Sequence, residues 1–202
     1  MLKRSLIVLA ICWTSGLLSA GIIFSNIGAG FPGDTPAFHA SGSGGNLFVG
    51  TTFTTSGTGN LLSISTELAA NPTSTLSVGL YTNSSGEPGT LLESWSIIVP
   101  IYTGSLPPLT TFASVLNPSL SSGTQYWFVV TTTNNTINWA QNDKAVNGGL
   151  WSSLTSLSTL SQVVLNSPTP GIQLDSTPEP VSGLLLATGT LLLMVVRRFS
   201  KT

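Results

Sequence analysis

Charge is scarce in this chain. Only 6% of its 202 residues are charged, against roughly a quarter in an ordinary soluble domain. The deficit is filled by Ser, Thr, Asn and Gly. Basic residues are almost absent from the body, because Lys3, Arg4, Arg197, Arg198 and Lys201 all sit in the terminal segments and only Lys144 lies between them. Against Lys144 stand Asp34, Glu67, Glu87, Glu93, Asp143 and Asp175, so residues 21–177 carry six acids and one base, a formal net of −5. A nucleic-acid partner is excluded on this pattern, since affinity for phosphate backbones comes from clustered Lys and Arg. Anionic lipid headgroups are disfavoured for the same reason. There is one cysteine, Cys12, and one histidine, His39. If Cys12 leaves with the segment that contains it, the remainder has neither disulfides nor thiolate chemistry and relies on its core for stability. One His and no Cys cannot assemble a zinc set.

What is present argues for folding. Hydrophobic residues make up 41% of the chain, with Trp and Phe spread through the middle, whereas disorder needs low hydrophobicity together with high net charge. The length between the two ends fits one domain.

The ends have their own character. Residues 1–20 place Lys3 and Arg4 ahead of an apolar stretch over 6–18, with the small residues Ser19 and Ala20 behind it. This is the pattern of a secretory signal peptide cleaved after Ala20, with an uncleaved membrane anchor as the alternative. About thirteen apolar-leaning residues are short for a span. Cys12 does not fit a lipid attachment site, because it falls too early in the segment and follows the bulky Ile11. At the other end, Pro178-Glu179-Pro180 precedes an uncharged stretch over 181–196, then Arg197-Arg198. The prolines favour a helix start near 180. Sixteen residues at about 1.5 Å each give roughly 24 Å, which snorkelling by Arg197 and Arg198 extends toward a bilayer core. Positive charge after the span predicts a cytoplasmic end, with the body outside.

Pro178, Glu179 and Pro180, the transmembrane stretch and the terminal Arg197 and Arg198 together resemble the PEP-CTERM sorting signal of Gram-negative bacteria. The resemblance covers about the last 25 residues. It implies processing by an exosortase, an integral-membrane cysteine protease, and delivery of the body to the cell surface or the exopolysaccharide matrix. A plain single-pass anchor is the alternative.

Between the ends, short apolar and Thr-containing runs alternate with Gly, Asn, Pro and Ser, and no segment holds a helical period beyond two turns. The period-two sets Leu62, Ile64, Thr66, Leu68, then Leu76, Val78, Leu80, then Tyr126, Phe128, Val130, Thr132 predict three strands facing one core. Further strands are expected over 48–53, 91–99, 110–116, 137–140 and 163–165. Asn83-Ser84-Ser85-Gly86 and Glu87-Pro88-Gly89 read as turns. The expected fold class is all-β: a sandwich of jelly-roll or immunoglobulin-like kind, flanked by an N-terminal signal helix and a C-terminal transmembrane helix. The expected layout is a signal peptide over 1–20, a Gly/Pro/Ser-rich lead-in over 21–45, the sandwich over 46–175 and the sorting segment over 176–202. The lead-in either extends ahead of the domain or holds a first strand over 22–24. The stretches SVGLYTNSSGEPGTLLESWS, LSSGTQYWFVVTTTNNTINWAQND and GGLWSS resemble the choice-of-anchor R domain across roughly 47–153. Members combine this body with varied sorting anchors, and the resemblance implies no biochemical activity.

Candidate chemistry is sparse. A Ser-His-Asp triad would have to use His39, and no G-x-S-x-G occurs. Glu87 and Glu93 are the one imaginable glycosidase-type pair, although solvating a turn explains them better. Asn142-Asp143-Lys144 with Asn147 offers oxygens for Ca²⁺, or simply an Asx-type turn. Trp95, Trp127, Trp139 and Trp151 serve either a core or a sugar-binding surface. The expectation is a non-enzymatic structural or interaction protein of the surface or matrix, without a cofactor or metal. Its partners would be signal peptidase, an exosortase-like enzyme, extracellular polysaccharide, and the membrane before processing. The alternative is a carbohydrate-binding module in which Trp139, Asn142, Asp143 and Trp151 share one exposed patch.

Overall fold

Residues with branched or aromatic side chains at alternate positions favour a pleated surface buried on one side, and the body of this chain is built almost wholly from such runs. The computed structural model describes residues 21–27, 38–41, 45–103, 107–133, 136–140 and 147–178, without the side chains of 38–41, 147–149, 162–168 and 178. The expected signal helix over 1–20 and transmembrane helix over 181–196 lie outside these residues. Among the described residues no helix is long and apolar enough to cross a membrane.

The strands are β1 (Gly21–Ser25), β2 (Phe38–Ser41), β3 (Asn46–Thr54), β4 (Gly59–Asn71), β5 (Ser74–Ser84), β6 (Glu87–Val99), β7 (Leu109–Ala113), β8 (Ser119–Leu120), β9 (Gln125–Thr133), β10 (Thr136–Trp139), β11 (Asn147–Ser153), β12 (Ser161–Pro168) and β13 (Ile172–Pro178). They form two antiparallel sheets. One runs β1-β13-β4-β10-β2, with β7 and β8 also on β4, and the other runs β12-β11-β3-β9-β5-β6. The long β4 is the spine of the first sheet. In the second, β9 lies between β3 and β5 and pairs with β3 from Asn46↔Thr133 to Thr54↔Gln125 without a break in register.

The core lies between the sheets. Ile64 and Leu68 of β4, Leu76, Val78 and Leu80 of β5, and Tyr126, Phe128 and Val130 of β9 belong to one buried cluster. Thr66 and Thr132 are buried with them. Leu62 departs from the expected alternation, because it is only half-buried while its neighbour Leu61 is fully buried. Leu61 and Ile64 both reach the core, so the strict period of two fails over the first residues of β4. Aromatic rings link the layers: Phe112 to Phe128 at 6.0 Å, and Phe128 to Trp139 edge-on at 5.6 Å.

Of the two readings of the lead-in, the one with a first strand over 22–24 matches the structure. Of residues 21–45, β1 pairs with β13 from Gly21↔Ser176 to Ser25↔Gln173, and β2 pairs with β10. The reason lies just beyond β1. Asn26 is 3% exposed, its Nδ2 donates to Thr169 Oγ1 at 2.9 Å and to the Pro170 carbonyl at 2.8 Å, and its Oδ1 accepts from the Ile172 N–H at 2.6 Å. One side chain thereby fixes the start of the body to its final strand. Residues 166–177, whose sequence reads as one short strand and a linker, hold the end of β12 and all but the last residue of β13.

Two turns also differ from expectation. Ser85 and Gly86 alone close the β5–β6 hairpin, with φ of 56° and 91°, the positive pair a two-residue hairpin turn demands. Glu87-Pro88-Gly89 opens β6, which ends its sheet and tolerates a residue without an N–H. β7 stops at Ala113 rather than continuing to 116, because residues 114–117 turn: the Asn117 N–H donates to Ser114 Oγ at 2.9 Å, and Asn117 sits at a φ of 48°.

Candidate functional site

The two tryptophans expected to share a patch belong to different sheets. Trp139 in β10 is fully buried between the layers, and its Nε1 donates to Thr66 Oγ1 at 2.7 Å. Thr66 in turn donates to the Gly171 carbonyl at 2.6 Å. A ring spent in this way presents no surface to a ligand. Trp151 in β11 is half-buried and meets Trp127 edge-on at 4.9 Å. Asn142 and Asp143 lie outside the described residues, as does most of the loop considered for Ca²⁺. Of the sorting motif, Pro178 closes β13, while Glu179, Pro180, Arg197 and Arg198 lie outside the described residues.

The carboxylates are also dispersed. Glu87 and Glu93 lie six residues apart on β6, which at about 3.3 Å per residue separates them by roughly 20 Å. That is too far for the 5–10 Å or so that a glycosidase pair spans. Glu93 is buried, with Oε2 accepting from Ser114 Oγ and Oε1 accepting from the Val115 and Leu116 N–H groups. Its oxygens hold a turn. Among the described residues no group of three or more His, Cys, Asp or Glu is placed to hold a metal ion.

The outer face of the six-stranded sheet is closed by its own rings. Trp127 and Val129 alternate with the core residues of β9, point away from the other sheet and are still buried. This is possible because the positions opposite Val129 on both sides are Gly50 and Gly79. A Cβ at Gly79 would lie 2.5 Å from the Tyr81 ring, and one at Gly50 would lie 3.4 Å from the Trp127 ring. At 79 glycine is therefore required by the ring laid across it, while at 50 a side chain would press first on Val129, at 3.2 Å. Trp127 Nε1 donates to Asn83 Oδ1 at 2.9 Å, so the indole is both packed and satisfied. Burial raises the Tyr81 phenol above its ordinary value of 10.0, since desolvation disfavours the phenolate.

The outer face of the seven-stranded sheet is different. Ile137 and Trp139 of β10, and Ile64, Leu68 and Ala70 of β4, face the core. The intervening Glu67, Ala69 and Asn138 therefore face outward, yet they are 4%, 1% and 1% exposed. Asn138 stands across from Ala69 on one side and from His39 of β2 on the other. Neither Nδ2 nor Oδ1 of Asn138 has a hydrogen-bond partner. Leaving a buried polar atom unsatisfied costs about 1–3 kcal/mol, so this corner is held at a cost. Beside it, on the far side of Ala69, residues 100–102 bond to β4 through Ala70: its N–H donates to the Pro100 carbonyl, and its carbonyl accepts from the Tyr102 N–H. Ala69, Pro100, Ile101, Tyr102, Thr103 and the Pro107-Pro108 pair line an open cavity of about 220 Å³. The carboxamide and the cavity lie on opposite sides of Ala69, and Asn138 does not line the cavity. Nothing in the sequence singled out Asn138, although a lone amide between the core residues Ile137 and Trp139 was the available signal.

No protein-family model matches the chain, and no curated protein matches it. One solved structure to which it is similar contains the cysteine protease and lectin-like domains of Cwp84, a surface layer associated protein of Clostridium difficile, at 12% identity and a TM-score of 0.45. The alignment covers 72% of this chain and 37% of that one, so this chain spans a little over a third of that structure's length.

Proposed function

We propose that this is an exported, non-enzymatic structural or interaction protein of the cell surface or extracellular matrix of a Gram-negative bacterium. In this reading the signal at 1–20 is removed by signal peptidase, the stretch at 181–196 holds the precursor in the inner membrane, and an exosortase-like enzyme acts at Pro178-Glu179-Pro180. The observation that carries it is the pairing of β1 with β13 from Gly21↔Ser176 to Ser25↔Gln173. Cuts after Ala20 and within 178–180 would leave every strand among the described residues in its sheet. The way Glu93 is used supports a non-catalytic body, because its carboxylate is committed to backbone and hydroxyl donors rather than to a cleft.

Intact mass with terminal peptides, measured on the protein recovered from the surface and medium of its native host, tests the proposal. A species starting near Gly21 and ending within 178–180 is expected. Retention of residues 181–202 in every fraction overturns the sorting step and leaves a membrane-anchored surface protein.

A further inference from the structure

We infer that the turn over 114–117 is a second membrane contact of the precursor: Val115 and Leu116 dip into the surface of the bilayer that holds the 181–196 stretch, and so keep the Pro178-Glu179-Pro180 motif at the membrane surface. The inference rests on the reading of 181–196 as an anchor, and goes beyond it by assigning a lipid-facing site on the body.

The side chains are the first reason. Val115 and Leu116 are 79% and 68% exposed, and among the described residues they are the one pair of chain neighbours that are both large, exposed hydrophobics. The fold uses only their backbone. Both N–H groups donate to Glu93 Oε1, the Val115 carbonyl accepts from Asn117 Nδ2 at 3.1 Å, and neither side chain belongs to the core cluster. Serine or threonine, plentiful elsewhere in the body, would supply the same N–H groups without exposing apolar surface. A buried carboxylate thus holds two aliphatic side chains out in water, which they gain by leaving.

Position is the second reason. Thr177, the last residue before the motif, donates from Oγ1 to the Asn60 carbonyl at 3.5 Å. The turn meets the next two residues of β4: the Leu61 N–H donates to the Pro118 carbonyl at 3.0 Å, and the Leu62 carbonyl accepts from the Ser114 N–H at 2.7 Å. Turn and exit therefore flank the start of β4, roughly 10 Å apart at two strand spacings. Residues 178–180 separate Thr177 from the anchor and reach about 10 Å when extended, so a bilayer that takes the anchor lies against this end of the body. The contact is with the apolar part of that bilayer rather than with its charge, because residues 21–177 carry six acids and one base. Two aliphatic side chains hold more weakly than one myristoyl chain, whose own binding is marginal and reversible. The contact therefore persists only while the anchor tethers the body, and lapses once the motif is cut.

The test places the full chain in phosphatidylcholine nanodiscs, with and without a paramagnetic lipid, and reads methyl signals by nuclear magnetic resonance. Val115 and Leu116 are expected to lose at least three times as much intensity as Ile98, which is 77% exposed at the opposite end of the body, where it pairs with Thr75 near the start of β5. A tenfold rise in salt should leave the loss unchanged. Leu116→Ser keeps the N–H that the turn needs and should reduce the loss at Val115 at least twofold. Equal losses at 115, 116 and 98 overturn the inference, as does a loss that salt abolishes or that Leu116→Ser leaves intact. The Leu and Val methyls of 181–196 report separately on the anchor. If they lose intensity while Val115 and Leu116 do not, only this inference fails; if none of them does, the anchor reading fails with it.

Discussion

Asn26 and Asn138 are the same residue at nearly the same burial, 3% and 1% exposed, and they are treated in opposite ways. Asn26 makes three hydrogen bonds to residues more than 140 positions away. Asn138 makes none. Other buried side chains do find partners. Trp127 has Asn83, Trp139 has Thr66, and Glu93 has a hydroxyl and two backbone amides. Against that background the empty carboxamide is a local cost that the rest of the fold has to offset.

The contrast can be broken by substitution. Asn26→Leu should cost about 3 kcal/mol, because it orphans the Pro170 carbonyl and the Ile172 N–H and removes one bond from the Thr169 hydroxyl; urea denaturation measures it, and a cost near zero would erase the difference between the two asparagines. Thr66→Val keeps the shape but strands Trp139 Nε1 and the Gly171 carbonyl, and should cost about 2 kcal/mol by the same measurement. Asn138→Leu should move the other way, raising stability by about 1 kcal/mol, since an apolar group of similar volume removes an unmet demand. The smallest effect is at Tyr81. Its raised value means that the phenol stays neutral in the folded protein at pH where the unfolded chain ionises. That contribution to stability is complete below pH 10.0 and is lost as pH rises from there through the raised value. Ultraviolet titration should find Tyr81 ionising above the ordinary tyrosine range, and unfolding should then bring it back to that range.

Much of the sandwich was legible because period two is a strong signal where one face is buried. Leu76, Val78 and Leu80 fell as expected, and so did Tyr126, Phe128 and Val130. Leu62 misled because Leu61 beside it is equally apolar, and alternation cannot choose between adjacent leucines. The run at 126–130 is buried on both faces, and sequence alone does not say what covers the second one. The answer was in Gly50 and Gly79, whose meaning depends on strand pairing. Residues 21–45 read either as a lead-in or as a first strand over 22–24 with a loop, and the strand is present as β1, while Gly and Pro density hides β2. The glycan patch paired Trp139 with Trp151, because nearness in sequence stood in for nearness in space; β10 and β11 belong to different sheets. Asn138 left no trace in composition or motif, and only the register that sets it against Ala69 gives it a meaning.

The pairing of β1 with β13 has a consequence for the order of events. Gly21 is among the first body residues to leave the ribosome, and its partner Ser176 is among the last. At a synthesis rate of about 5–20 residues per second, roughly 8–30 s separate them. Throughout that interval the outermost ladder of the seven-stranded sheet has only one of its strands, and Asn26 has none of its three partners. Sealing of the sandwich is therefore postponed to the end of translation, and the chain stays threadable for as long as a translocation pore would need it to be.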